Sequence, residues 1–134
     1  MIPYCRRFFT DNELSKLLRA MQLVEAIPDE MSEGLRCHEL ARALGIVLGL
    51  KVRDGKYGPV EHSWLLTEGR DGDPNILDPY VPAHVPQVQL REMNVAFMPH
   101  PYSYYPMART DIKQDMVEKL VAIFKAVPEE HQDP

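Results

Sequence analysis

Long apolar runs, basic runs and a set of paired cysteines are all missing from the sequence. Its most apolar stretch, residues 40–52, is shorter than a membrane span and contains Arg42 and Lys51. Residues 1–7 do not show the charged segment followed by an apolar segment that marks a secretory signal. These absences predict a cytoplasmic protein that has no membrane partner.

The charge balance and the cysteine count exclude two further classes of protein. Acidic residues outnumber basic residues by 20 to 15, the net charge is −5, and Arg6-Arg7 is too short a basic run to bind nucleic acid. Cys5 and Cys37 are too few for a disulfide framework, and we expect both to stay free thiols in a reducing compartment. The length of 134 residues predicts a single domain, residues 1–134, with one modest core.

Capping residues and helical spacing predict a first and a last helix. Thr10 and Glu13 form a capping-box pattern, and Pro28 ends the first helix. Thr110 is the expected cap of the last helix, which ends at Pro128. Each helix has an apolar stripe that we expect to cover the core: Leu14, Leu17, Leu18 and Met21 in the first, and Ile112, Met116, Val117, Leu120 and Phe124 in the last.

A second helix is predicted over residues 35–44, and Gly45 is its expected end. Four residues of this helix share one apolar face because they are spaced at i, i+3, i+4 and i+7: Cys37, Leu40, Ala41 and Leu44. Cys37 lies in the first turn. The partial positive charge of a helix N-terminus lowers the pKa of a thiol, so this position favours a thiolate.

Alternating and β-branched patterns predict a small antiparallel sheet of three to five strands. The expected strands are residues 46–52, 60–66, 75–80 and, from a weaker pattern, 87–97. Asp54-Gly55 and Gly58-Pro59 indicate turns. The predicted fold class is therefore α+β, with the helix that carries Cys37 packed on the sheet and with flanking N- and C-terminal helices.

His62 and Asp78 are predicted to meet across a hairpin. His62 shares a strand face with Val60, Trp64 and Leu66, so it points inward. If the turn is centred near Arg70, residue i lies opposite residue 140 − i, and His62 faces Asp78. A carboxylate on an apolar face is costly unless it is paired, which makes His62 its expected partner.

Each of these residues also has a structural interpretation when it is taken alone. A cysteine on an apolar helix face is usually a small buried hydrophobe, and a lone inward histidine is usually a hydrogen-bonded core residue. Asp78 is typical of a turn at a strand end. The joint pattern favours chemistry, because Cys37, His62 and Asp78 each fall on the inward side of a separate element.

Several short motifs resemble the transglutaminase-like superfamily, which has the papain-like arrangement of Cys on a helix and His and Asp on adjacent strands. The matching residues, within 35–80, are Cys37 at a helix start, Ala43-Leu44-Gly45-Ile46 at its close, His62-Ser63-Trp64, and Leu77-Asp78-Pro79. The chain departs from the family pattern in having His38 directly after the cysteine and only 25 positions between Cys37 and His62.

The resemblance implies roles for three residues and a class of reaction. Cys37 would be the nucleophile, His62 the base and Asp78 the residue that orients His62. The reaction would be acyl transfer from an amide or related substrate, either to water, as in a peptidase, amidase or deamidase, or to an amine, as in a transglutaminase or acetyltransferase. The expected partner is a protein, a peptide or a small acyl substrate, and no cofactor is expected.

Three aromatic residues are candidates for the surroundings of the site. Trp64 is expected to form a wall beside His62 that keeps the site dry. Tyr104 and Tyr105 belong to an aromatic cluster in an irregular, proline-rich segment that either lines a substrate groove or packs on itself. The rival hypothesis is a non-catalytic binding module that uses this segment to hold a partner.

A metal site is disfavoured because no pair of candidate ligands has recognised metal-binding spacing. The candidates are Cys37, His38, His62, His84 and His100.

Overall fold

A five-stranded antiparallel sheet with helices packed against it forms the protein, as the α+β prediction requires. The computed structural model describes residues 9–79, 88–93, 102–104 and 108–129, and the side chain of Tyr104 is outside this description. Among the described residues, no helix is long and apolar enough to cross a membrane.

The described residues form four α-helices: α1 (Asp11–Glu25), α2 (Asp29–Ser32), α3 (Cys37–Leu48) and α4 (Gln114–Lys125). The predicted capping box is present, because Glu13 N donates to the Thr10 hydroxyl and Thr10 N donates to the Glu13 carboxylate. A short helix, α2, directly follows Pro28, which is its N-cap.

The sheet has the strand order β4-β3-β2-β1-β5, which puts β2 at its centre. The strands are β1 (Lys51–Tyr57), β2 (Val60–Thr67), β3 (Asn75–Asp78), β4 (Gln89–Arg91) and β5 (Tyr102–Tyr104). The number of strands agrees with the prediction. β4 lies within the range 87–97, and β5 forms in a segment that was predicted to be irregular.

The predicted end of the second helix was wrong. The helix continues through Gly45 and ends at Gly49, which takes the left-handed conformation at φ 71°. A Cβ at position 45 would lie 2.9 Å from the Leu50 carbonyl oxygen and 3.2 Å from a methyl group of Leu65, so glycine is needed there for close packing. The strand predicted at 46–52 was also misplaced, since its first residues continue the helix.

The first turn prediction was wrong and the second was right. Asp54 and Gly55 lie inside β1, where they pair with Ser63 and His62, and the chain instead reverses at Gly58-Pro59. Gly58 has φ 61°, a conformation that glycine adopts without strain.

The predicted register between β2 and β3 was wrong by two residues. Leu65 pairs with Leu77, and Leu66 pairs with Ile76, so residue i lies opposite residue 142 − i. The loop contains a 3₁₀ turn, Arg70–Gly72, in which Asp71 has φ 56°, and this turn shifts the centre of the hairpin. Because the shift is an even number of residues, Asp78 stays on the face of His62 and lies diagonally from it.

The start of the last helix was also predicted wrongly. The helix begins at Gln114, after the N-cap Lys113, and Thr110 is not its cap. The preceding segment is held outside the helix by long-range bonds, because Lys113 N donates to Glu39 of α3 and the Arg36 guanidinium bonds to Asp111. The helix ends before Pro128, as predicted.

Both faces of the sheet are buried. One face packs against the helices in the main core, where Leu65 and Leu77 join Leu40, Leu44 and Phe124. The opposite face carries a second cluster of buried residues: Trp64, Ile76 and Tyr102. Buried polar residues also lie on both faces of β2, with His62 on the face of Trp64 and Ser63 on the face of Leu65.

Candidate active site

Cys37 is the first residue of α3 and carries a free thiol. Arg36 before it is extended and serves as the N-cap, and its guanidinium bonds to Glu39 in the first helical turn. The thiol therefore lies at a helix N-terminus, where the unpaired backbone N–H groups favour negative charge. Cys37 is 8 % exposed, so the sulfur is almost enclosed.

His62 and Asp78 form a buried hydrogen-bonded pair. His62 Nε2 lies 2.9 Å from Asp78 Oδ1 and 2.8 Å from Asp78 Oδ2, and the two residues are 1 % and 0 % exposed. The contact predicted between them is thus present despite the shifted register. Because an ionised carboxylate only accepts, Nε2 carries a proton and Nδ1 is the ring nitrogen left to exchange a proton with a thiol.

Tyr102 completes the surroundings of this pair. Its hydroxyl donates to Asp78 Oδ2 at 2.7 Å. Burial raises the pKa of the phenol, and the charge of Asp78 raises it further, so Tyr102 remains a donor. The rings of Tyr57, Trp64 and Tyr102 have centroids 5.9, 6.0 and 6.4 Å from that of His62, which makes an aromatic enclosure around the imidazole.

Two histidines act on the Cys37 thiol. Burial would raise its pKa, but hydrogen bonding to His38 and to His62, with the charge of both rings, lowers it from 9.0 to about 6. The direct sulfur contact is with His38, whose Nδ1 and Nε2 lie 3.7 and 4.0 Å from Sγ. The interaction with His62 appears in the pKa values of both residues.

The pKa of His62 is shifted in the opposite direction. Burial would lower it, but hydrogen bonding to Asp78 and to Cys37 outweighs burial and raises it from 6.5 to about 9. The stabilisation gained by the imidazolium is present below pH 6.5 and is lost as the pH rises through about 9. That gained by the thiolate is present above pH 9.0 and is lost as the pH falls through about 6, so thiolate and imidazolium coexist between about 6 and 9.

A second polar chain runs from His38 away from the thiol. His38 Nδ1 lies 2.7 Å from the Ser63 hydroxyl, and that hydroxyl donates to Asp54 Oδ1 at 2.5 Å. Asp54 Oδ2 accepts from the Arg42 guanidinium at 2.6 Å and from Arg109 N at 3.1 Å. Burial would raise the pKa of Asp54, but these bonds lower it, so the carboxylate is ionised.

Charged residues tie the segment before α4 to the start of α3 and to β2. The Arg109 guanidinium bonds to Asp111 and to Glu61 of β2. Asp111 is also bonded by Arg36 beside Cys37. This network fixes residues 109–111 against the start of α3.

Of the three aromatic residues that were predicted to surround the site, the structure describes the side chain of Trp64 alone. Trp64 is fully buried next to His62, and its Nε1 has no hydrogen-bond partner among the described residues. The side chain of Tyr104 and all of Tyr105 lie outside the described part of the chain, so their predicted roles stay predictions. Cys5, His84 and His100 lie outside it as well.

Four residues that contribute to the site were not predicted from the sequence. Tyr102 lies in the same proline-rich segment as Tyr104, which was predicted to be irregular, and Asp54 was predicted to be part of a turn. Ser63 and Arg42 attracted no chemical interpretation. One signal was available, because Ser63 is adjacent to His62 and alternation places it on the other face, towards the helix.

No family model, no curated protein and no solved structure matches the chain. Among the residues that the structure describes, no group of three or more histidine, cysteine, aspartate or glutamate side chains is arranged to hold a metal ion.

Proposed function

We propose that this protein is a cysteine-dependent acyl-transfer enzyme with a transglutaminase-like, papain-like core. Cys37 would be the nucleophile, His62 the proton acceptor and Asp78 the residue that orients His62. The observation that carries the proposal is the buried His62–Asp78 pair, whose histidine interacts with a thiol at a helix N-terminus. A cysteine and a histidine oriented by a third group are the elements of an activated nucleophile.

The first half of the reaction follows from the protonation states. Between about pH 6 and 9, Cys37 is a thiolate and His62 an imidazolium. The sulfur attacks the acyl carbon, and the backbone N–H of Cys37 would donate a hydrogen bond to the oxyanion. When the bond to the leaving amine breaks, His62 gives that amine its Nδ1 proton, and a thioester on Cys37 remains.

In the second half, neutral His62 takes a proton from water or from an acceptor amine. The oxygen or nitrogen attacks the thioester carbon, and the carbon–sulfur bond breaks. The product is a carboxylic acid or a new amide, and the proton on His62 restores the thiolate–imidazolium pair. Asp78 holds Nε2 throughout, so that Nδ1 remains the nitrogen that exchanges the proton.

The aromatic enclosure supports this assignment. Tyr57, Trp64 and Tyr102 surround the imidazole, and Tyr102 also bonds to Asp78. A low-polarity surrounding strengthens the attraction between the imidazolium and both of its negatively charged partners. The hydrogen bonds to Asp78 and Cys37 thereby outweigh the cost of burial, and the imidazolium persists at a pH where a solvated histidine would be neutral.

Alkylation of Cys37 by iodoacetamide tests the proposal without knowledge of the substrate. In a Cys5→Ser background, in which Cys37 is the only thiol, the labelling rate is measured between about pH 4 and pH 10. The expected midpoint is near pH 6, the pKa of the thiol in the folded protein. Since only the thiolate reacts, a midpoint at about 8.5 or above would contradict the proposal.

The same experiment also measures access to the sulfur. Cys37 is 8 % exposed, so labelling that occurs only when the protein is unfolded would also count against an enzyme. As a second readout, incubation with an activated acyl ester should leave a thioester on Cys37 that mass spectrometry detects. The matched control, Cys37→Ser, removes the thiol and should carry no thioester.

A further inference from the structure

We propose that His38 is a second catalytic histidine, which acts on the Cys37 sulfur and whose free ring nitrogen is selected by Ser63, Asp54 and Arg42. This inference rests on the proposed function, because it assigns a further group to the same nucleophile. The proposed function uses His62 of β2. The present inference adds His38 of α3, whose ring contacts the sulfur directly.

The proton positions of this chain follow from its donors and acceptors. Asp54 is ionised and therefore only accepts, so the single hydrogen of the Ser63 hydroxyl points to Asp54 Oδ1. The Ser63 oxygen can then only accept from His38, so His38 Nδ1 carries a hydrogen. This fixes the tautomer: the protonated Nδ1 lies 3.7 Å from Cys37 Sγ, and Nε2, 4.0 Å from it, is the nitrogen left to take up a proton.

The two histidines are supported in different ways. Asp78 contacts the imidazole of His62 directly, whereas Asp54 acts on His38 through the Ser63 hydroxyl. In addition, Asp54 is paired with Arg42 at 2.6 Å, which offsets much of its charge. Two histidines thus interact with the sulfur: His62 is hydrogen-bonded directly to a carboxylate, and His38 is oriented by a neutral hydroxyl.

The other charged groups around the thiol are mutually paired. Those that face Cys37 and His38 come from the helix and from three strands: Glu39 and Arg42 of α3, Asp54 of β1, Glu61 and His62 of β2, and Asp78 of β3. Glu39 is bonded to Arg36, and Glu61 is bonded to Arg109. Because each carboxylate has a cationic or imidazole partner, the two histidines are the groups that decide the charge of the sulfur.

The pH profile of Cys37 alkylation in a His38→Asn variant tests this proposal. The asparagine amide can still donate to Ser63 in place of Nδ1, but it places nothing at the position of Nε2. We expect a melting temperature close to that of the unsubstituted protein and a labelling midpoint raised by about one pH unit. A purely structural role for His38 would leave the midpoint unchanged in this variant.

A second histidine variant separates this proposal from the proposed function. With His62→Gln alone the midpoint should also rise, and in the double variant it should reach about 8.5 or above, the value of an isolated thiol. If the labelling midpoint of His38→Asn equals that of the unsubstituted protein while the midpoint of His62→Gln is raised, the role of His38 is refuted and the proposed function stands. If the midpoint is raised in His38→Asn but not in His62→Gln, the assignment of His62 is refuted instead.

Ser63→Ala keeps the proposal testable if His38→Asn does not fold. It removes the hydroxyl that orients His38 and leaves both imidazoles in place. The midpoint should rise by less than in His38→Asn, because the ring is present but no longer fixed. An unchanged midpoint in this variant would overturn the selection of the ring nitrogen by Ser63.

Discussion

Replacing His62 by glutamine is expected to raise the pH midpoint of Cys37 alkylation by at least about one unit and to slow the proposed acyl transfer by about 10²- to 10⁴-fold. The first effect follows because the thiolate loses an imidazolium whose pKa is about 9. The second follows because, in the proposed reaction, His62 is the group that protonates the leaving amine. Glutamine keeps an amide donor for Asp78 and so preserves much of the packing.

The matched control for this variant is Tyr57→Phe. The Tyr57 ring lies against His62 with a centroid distance of 5.9 Å, but its hydroxyl is not part of the proton-transfer scheme. We expect its alkylation profile to match that of the unsubstituted protein. A glutamine variant with the same midpoint as this control would show that His62 does not act on the thiol.

Replacing Glu13 by alanine is expected to lower the free energy of unfolding by about 3 to 5 kcal/mol. Glu13 is fully buried, and its carboxylate accepts hydrogen bonds from Thr10 N, from the Asn75 amide at 2.7 Å and from the Thr67 hydroxyl. Alanine would leave the amide and the hydroxyl buried with fewer partners. Since small domains have about 5 to 15 kcal/mol of stability, urea denaturation should show a large shift.

An exposed glutamate on the same helix provides the control. Glu25→Ala removes a carboxylate from the solvent side of α1, and we expect its free energy of unfolding to change by less than about 0.5 kcal/mol. If the two variants were equally stable, Glu13 would have no role in joining α1 to the β2–β3 hairpin.

The pairing of His62 with Asp78 could be predicted because it depends on strand parity. Alternation places both side chains on one face of the sheet, and a register error of two residues keeps them there. The error itself arose in the loop, where a 3₁₀ turn with Asp71 at φ 56° replaces the tight turn that was expected near Arg70. Side chains that reach diagonally then closed the remaining distance.

Local sequence patterns could not predict the second polar chain, which links His38 to Arg42 through Ser63 and Asp54. Arg42 and Asp54 come from different elements, and their ion pair exists only after α3 has packed on the sheet. Asp54-Gly55 also looks like a turn by composition, although a continuous ladder with β2 keeps it extended. Tertiary contacts therefore decided both the structure and the chemistry of this segment.

For Glu13, the sequence predicts the local contacts of the residue but not its distant ones. The spacing from Thr10 correctly predicts its place in the capping box. Its other bonds reach Thr67 and Asn75, which are 54 and 62 positions away in the chain. Helical spacing carries no information about contacts at that separation, so the buried role of this residue emerged only from the fold.

A titration of the histidine side-chain nitrogens by ¹⁵N NMR tests the central claim most directly, because it observes the protonation of His62 itself. We predict that His62 stays an imidazolium up to about pH 9 and that Cys37→Ser lowers this midpoint, since the thiolate contributes to it. An imidazole that titrates at or below the usual value of about 6.5 would contradict the thiolate–imidazolium pair on which the proposed chemistry depends.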